Sequence, residues 1–230
     1  MKLNLLFKLI KLRQILLLLI SMIMYFLGGG LAHYYGANYN HVNFWLGLLW
    51  TIGILCGSCL LVTYFSPSSF FDIDEEQLIW LKNNQKSLLQ LAFLSLTICG
   101  FIVVIFIITH SLSINLGIIF FLTIFGSVLM TVSTSKLKTA YYQEIFYAIY
   151  LGCLVPATSY FISIPVYNKV LLFITFPITC LALAAFLAYD FSTFARDQRI
   201  DRISFLRSLT WQRAIPVHNI TTWWIEIVTP

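Results

Sequence analysis

Between Arg13 and Asp72 the chain runs for 58 residues without one Asp, Glu, Lys or Arg. An ordinary soluble domain carries roughly one charged residue in four, so a block of this length and polarity has to sit in a bilayer. A transmembrane helix needs about 20 apolar residues, which makes the block two spans and a turn. The turn is expected at Gly28-Gly29-Gly30 and then His33 through His41, a polar, Tyr-rich stretch. Residues 87–135 form a second uncharged block of 49 residues, broken near His110-Ser111, and supply two more spans. Residues 145–168 and 170–189 supply one each. Six spans result, with a partial seventh after Arg213 that Pro216 and Glu226 interrupt.

Composition excludes the alternatives. The chain is 60% hydrophobic and 10% charged, the reverse of the low-hydrophobicity signature of disorder. No segment shows the alternating ten-residue pattern of an outer-membrane barrel. The expected class is all-α, a polytopic transmembrane bundle in contact with the lipid bilayer. The net charge of +5 carries no implication of nucleic acid, because membrane topology dictates where basic residues go. Placing the N-terminus in the cytoplasm puts segments 1–13, 66–86, 135–144 and 190–213 on that side. These hold 13 of the 14 Lys and Arg residues, all but Lys169. Residues 1–13, with Leu5, Leu6, Ile10 and Leu12 among basic residues, read as an interfacial amphipathic helix. Residues 14–230 read as one transmembrane helical domain. The first apolar run is too long for a cleavable signal, and Leu31-Ala32-His33 is a poor cleavage match. Five Cys fall inside the spans. Cys56-Gly57-Ser58-Cys59 has no second ligand pair and reads as small residues at a helix interface.

Eight of the nine acidic residues share the cytoplasmic side. Segment 66–86 holds Asp72, Asp74, Glu75 and Glu76; segment 190–213 holds Asp190, Asp197 and Asp201. On helical ends Asp72 and Glu76 share a face, and so do Asp190, Asp197 and Asp201. Two carboxylate stripes at one membrane surface suit Mg²⁺, which takes one or two carboxylates together with substrate phosphates. The bland alternative is a set of solvated loop acids. The arginines at 196, 199, 202, 207 and 213 fit an anion site, and they equally fit the positive-inside rule.

This arrangement resembles the UbiA-type superfamily of intramembrane aromatic prenyltransferases, most nearly its 1,4-dihydroxy-2-naphthoate polyprenyltransferase-like branch. That family carries two Asp-rich motifs in the cytoplasmic loops after its second and sixth helices. Here Ser68-Ser69-Phe70-Phe71-Asp72, followed by Glu76, is similar to the first motif, N-D-x-x-D-x-x-x-D. Ser68 and Ser69 replace its Asn and first Asp. The second motif, D-x-x-x-D, matches Asp197-Gln198-Arg199-Ile200-Asp201. In a second register, anchored on Leu209 to Ala214, it matches Thr193 and Asp197. Lys136-Leu137, Glu144, Gly152 and Tyr160 reproduce the spacing of a third family pattern, although helix contact and interfacial anchoring also account for Gly152 and Tyr160. Family members have eight or nine helices.

The resemblance implies an Mg²⁺-dependent transferase of alkyl groups other than methyl. It would move a polyprenyl group from its diphosphate to a small aromatic or quinone-precursor acceptor, in the cytoplasmic (inner) membrane of a bacterium. Asp72, Glu76, Asp197 and Asp201 are the metal ligands it implies, Arg199 and Arg202 the diphosphate contacts, and Lys136 and Glu144 the catalytic groups. Phe146, Tyr147 and Tyr150 are either linings of the site or packing residues. The Ser68-Ser69 replacement supports an alternative: a relative that keeps the fold and serves as a lipid-binding or structural subunit with a membrane protein partner.

Overall fold

A computed structural model describes residues 12–37, 40–65, 84–135 and 143–199; residues 12–15, 130–135, 143, 144 and 189–199 are described by their backbone. Every regular element among them is helical. In chain order these are α1 (Leu12–Tyr34), α2 (His41–Phe65), α3 (Gln85–Ile108), α4 (Ile114–Ser135) and α5 (Gln143–Ile149). A π-helical turn over Tyr150–Leu154 leads into α6 (Val155–Ser163), and α7 (Lys169–Arg199) follows.

Five stretches are long and apolar enough to cross a membrane: Leu16–Tyr34, His41–Phe65, Gln85–Ile108, Ile145–Ser163 and Lys169–Ala188. The expected fourth span is represented by the shorter apolar stretch Ile114–Leu129 within α4. The expected partial seventh, and residues 1–11 of the interfacial helix, lie outside the described residues.

Two central helices carry the packing. One is α2; the other is the continuous run from α5 through the π turn to α6. Around them stand α1, α3, α4 and α7. At the extremes, burial runs opposite to hydropathy. The most apolar span, in α3, has 22% of its residues buried, and the least apolar, 145–163, has 72%. Water would drive α3 inward, because apolar area leaves water at a gain of about 25 cal/mol per Å². Only a lipid environment leaves Phe93, Ile98, Phe101 and Ile108 exposed at no such cost.

Short turns make the topology alternate. Residues 35–40, 109–113 and 164–168 join successive helices at one end of the bundle, here the turn end. The helices leaving those turns are capped there. Asn40 Oδ1 accepts from the Val42 N–H at 3.1 Å, Ser113 Oγ from Leu116 at 3.2 Å, and Asn168 Oδ1 from Val170 at 3.0 Å. Each satisfies a donor that the first helical turn leaves unpaired. His33, His41 and His110 lie at this end and are exposed, as the sequence leads one to expect.

The triglycine Gly28–Gly30 is not part of the first turn. It lies inside α1, where two of its members face other helices. A Cβ on Gly28 would meet the backbone of Pro156 in α6, at 2.7 Å from its carbonyl carbon and Cα. Small residues at such crossings let helix backbones approach closely. Pro156 also accounts for the π turn before it. Proline lacks an N–H and its ring clashes with the carbonyl four residues back. One widened turn accommodates this, and the Val155 N–H bonds the Tyr150 carbonyl five residues earlier.

Side-chain bonds to backbone carbonyls of α2 stitch its neighbours to it. Tyr150 Oη donates to the Thr51 carbonyl at 2.7 Å, Ser95 Oγ to Gly53 at 2.7 Å, and Tyr25 Oη to Phe44 at 2.6 Å. Trp50 stacks on Phe120 with ring centroids 4.1 Å apart.

Candidate functional site

The end opposite the turns is where the sequence places its chemistry. The last residue of α2, Phe65, and the first of α3, Gln85, both lie there, so the segment carrying Asp72 and Glu76 is attached at that end. So are the last residue of α4, Ser135, and the first of α5, Gln143, which bracket Lys136. Glu144 is the second residue of α5. Asp72, Glu76, Lys136, Asp201 and Arg202 themselves lie outside the described residues.

The second acidic segment is more than a loop. The apolar part of α7 ends at Ala188, yet the helix continues to Arg199. Eleven further residues at 1.5 Å each extend it by about 16 Å. Asp190, Thr193, Asp197 and Arg199 all belong to this extension. Asp190 and Asp197 stand seven residues apart, two turns along one helix, which places them at equivalent register positions. Thr193 and Asp197, the pair of the second register, stand one turn apart. Among the described residues no three His, Cys, Asp or Glu side chains form a metal-holding group.

Deeper in the bundle the aromatic residues are packing residues. Tyr147 and Tyr150 are buried, with Tyr147 Oη 3.8 Å from the Cys59 sulfur and Tyr150 bonded to α2. Phe146 is partly buried against the same core. Gly152 is a close helix contact, since a Cβ there would sit 2.5 Å from the Thr179 Cα of α7. Tyr160 is buried, and its hydroxyl reaches Asn168 in the last turn. The five cysteines are free thiols; Cys59 and Cys99 are buried at the α2–α5 and α2–α3 contacts, and Cys99 Sγ donates to the Trp50 carbonyl at 3.6 Å. This agrees with small residues at a helix interface.

A second locus lies toward the turn end, where sequence patterns gave no motif. A cleft of about 230 Å³ opens between α4, the π turn, α6 and α7. Ile118, Cys153, Phe161, Leu171 and Leu172 line it, with Asn115 and Tyr167 at its rim. Asn115 Nδ2 donates to the Pro165 carbonyl at 2.7 Å and ties the start of α4 to the turn before α7. The available signals in the sequence were Lys169, alone outside the basic segments, and Asn115 at the head of an apolar run.

Comparison with family models, with curated proteins and with solved structures finds no match to this chain.

Proposed function

We propose that the protein is an integral membrane prenyltransferase of the UbiA type, transferring a polyprenyl group from its diphosphate to a small aromatic acceptor. One observation carries this reading. The segment holding Asp72 and Glu76 and the helical extension holding Asp197 are attached at the same end of the bundle. That is the juxtaposition a two-motif diphosphate site requires. The weight of basic residues assigns this end to the cytoplasm.

The proposed donor set, Asp72, Glu76, Asp197 and Asp201, is entirely carboxylate, and hard oxygen donors suit Mg²⁺. Bound there, the metal would offset the charge of the departing diphosphate. The chain's own groups have separate tasks. Arg199 and Arg202 hold diphosphate oxygens with forked guanidinium donors, and Lys136 adds a point charge beside them. Glu144, at the start of α5, receives the proton that the aromatic ring loses as the new carbon–carbon bond forms.

A second reading has its own support. The interior of the described bundle is filled by Trp50, Phe120, Tyr147 and Tyr150, and the cleft lies toward the end away from the acids. A lipid-binding or structural subunit that keeps the fold without the chemistry fits those two features.

Binding of geranylgeranyl diphosphate to the detergent-purified full chain separates the two. The enzyme reading expects binding that needs Mg²⁺, is abolished by EDTA, and is lost in Asp72→Asn and Asp197→Asn variants that melt like the wild type. Absence of binding by the folded wild-type protein removes the transferase reading and leaves the second.

A further inference from the structure

The turn end of the bundle carries one full positive charge and, among the described residues, no carboxylate to balance it. The described acids are Glu144, Asp190 and Asp197, all at the opposite end. Lys169 is exposed as the first residue of α7. Two and three residues further on, Leu171 and Leu172 form one wall of the apolar cleft; Ile118 of α4 forms the other, and Cys153 and Phe161 form its floor. The cleft runs from Asn115 and Tyr167 at the rim down to Thr175, six residues below Lys169, or about 9 Å along the helix. On α7 the lining therefore runs from beside the turn 164–168 toward the middle of the apolar stretch Lys169–Ala188.

The geometry points to a binding site for one anionic phospholipid, its acyl chain in the cleft and its phosphate against Lys169. At about 230 Å³ the cleft is below the roughly 300 Å³ at which sites for drug-sized ligands begin, and a single chain segment fits it. Two of its polar groups are already engaged. Asn115 is bonded to Pro165, and the Thr175 hydroxyl to the Leu172 carbonyl. The rest of the lining is largely apolar, and Lys169 precedes Leu171 by two residues on the same helix. An amphiphile with an anionic head matches both halves. This inference is independent of the transferase reading, because it uses neither the acidic end nor any residue assigned to catalysis.

Native mass spectrometry of the full chain released from detergent tests it, with dioleoyl-phosphatidylglycerol and dioleoyl-phosphatidylcholine as probes. The expected result is one retained phosphatidylglycerol, preferred about fivefold, the gain of one basic side chain at an anionic surface. Lys169→Gln should bring the preference to unity. Leu172→Trp, on an exposed wall position, should fill the cleft and reduce retention of both lipids; Ile118→Trp on the facing wall provides the same test if that variant does not fold. Equal retention of the two lipids by the wild type overturns the inference. So does a preference that survives Lys169→Gln, or retention untouched by a folded cleft-filling variant.

Discussion

Three consecutive glycines in α1 differ in what surrounds them, and that difference makes a graded prediction. A Cβ at position 28 would meet only backbone of Pro156, 2.7 Å from its carbonyl carbon and Cα. Ordinary contact starts at 3.4 Å and the Pro156 carbonyl oxygen lies closer still than those two atoms, so α1 and α6 must separate by more than an ångström. Backbone cannot rotate aside, and overpacking of this kind costs up to about 3 kcal/mol. Alanine returns roughly 1 kcal/mol of helix propensity. Gly28→Ala should therefore lose about 2 kcal/mol net, a fall in Tm of about 4–8 °C for a chain of this size. At Gly29 the neighbours are the Phe44 ring at 2.6 Å and Ser159 Oγ at 3.0 Å. Both are side chains that can give way, so Gly29→Ala should be close to neutral. At Gly30 nothing lies within 4 Å, and Gly30→Ala should match the wild type or exceed it by up to about 1 kcal/mol. Heating in detergent with a thiol-reactive fluorescent dye reads all three, because Cys59 and Cys99 are buried until the bundle opens. A Gly28→Ala protein that melts with Gly30→Ala would refute the close crossing of α1 and α6.

Other outcomes follow from the same packing. Tyr150→Phe removes the bond to the Thr51 carbonyl and should cost about 0.6–1.5 kcal/mol; an unchanged melting curve would mean that the bond adds nothing. Asn168→Ala removes the cap of α7 and should cost about 1 kcal/mol, measured by the same dye. A membrane-soluble maleimide should label the partly exposed Cys56, Cys153 and Cys180 in the folded protein and spare Cys59 and Cys99, as peptide mapping would show. Chelation by EDTA should abolish diphosphate binding while leaving Tm in ligand-free buffer unchanged, since the bundle core contains no proposed metal ligand.

Much of the architecture was legible because charge is so costly in a bilayer. Uncharged blocks located the helices, and the break near His110-Ser111 falls in the observed turn 109–113. The caps Asn40, Ser113 and Asn168 were not read from the sequence, although each precedes an apolar run. One feature was misread because a run of glycines has two meanings. Gly28–Gly30 suits a turn as well as a helix crossing, and only Pro156, far along the chain, decides between them. The helical end expected to carry the acids of segment 190–213 is present as far as Arg199. A helix already nucleated in the membrane adds residues at one hydrogen bond each without a new nucleation cost.

The sequence by itself determined the class, the approximate placement of the apolar helices, and the separation of a charge-rich end from one whose described residues carry Lys169 alone. Those follow from the energy of moving single residues between water and lipid, which needs no knowledge of neighbours. Which helices occupy the centre was a tertiary decision. The least apolar span is buried and the most apolar one faces outward, because lipid already satisfies hydrocarbon while hydroxyls, thiols and backbone carbonyls find partners only against one another. The cleft beside Lys169 was decided the same way: it exists because α4 and α7 pack against the α5–α6 run from two sides and leave a gap between them.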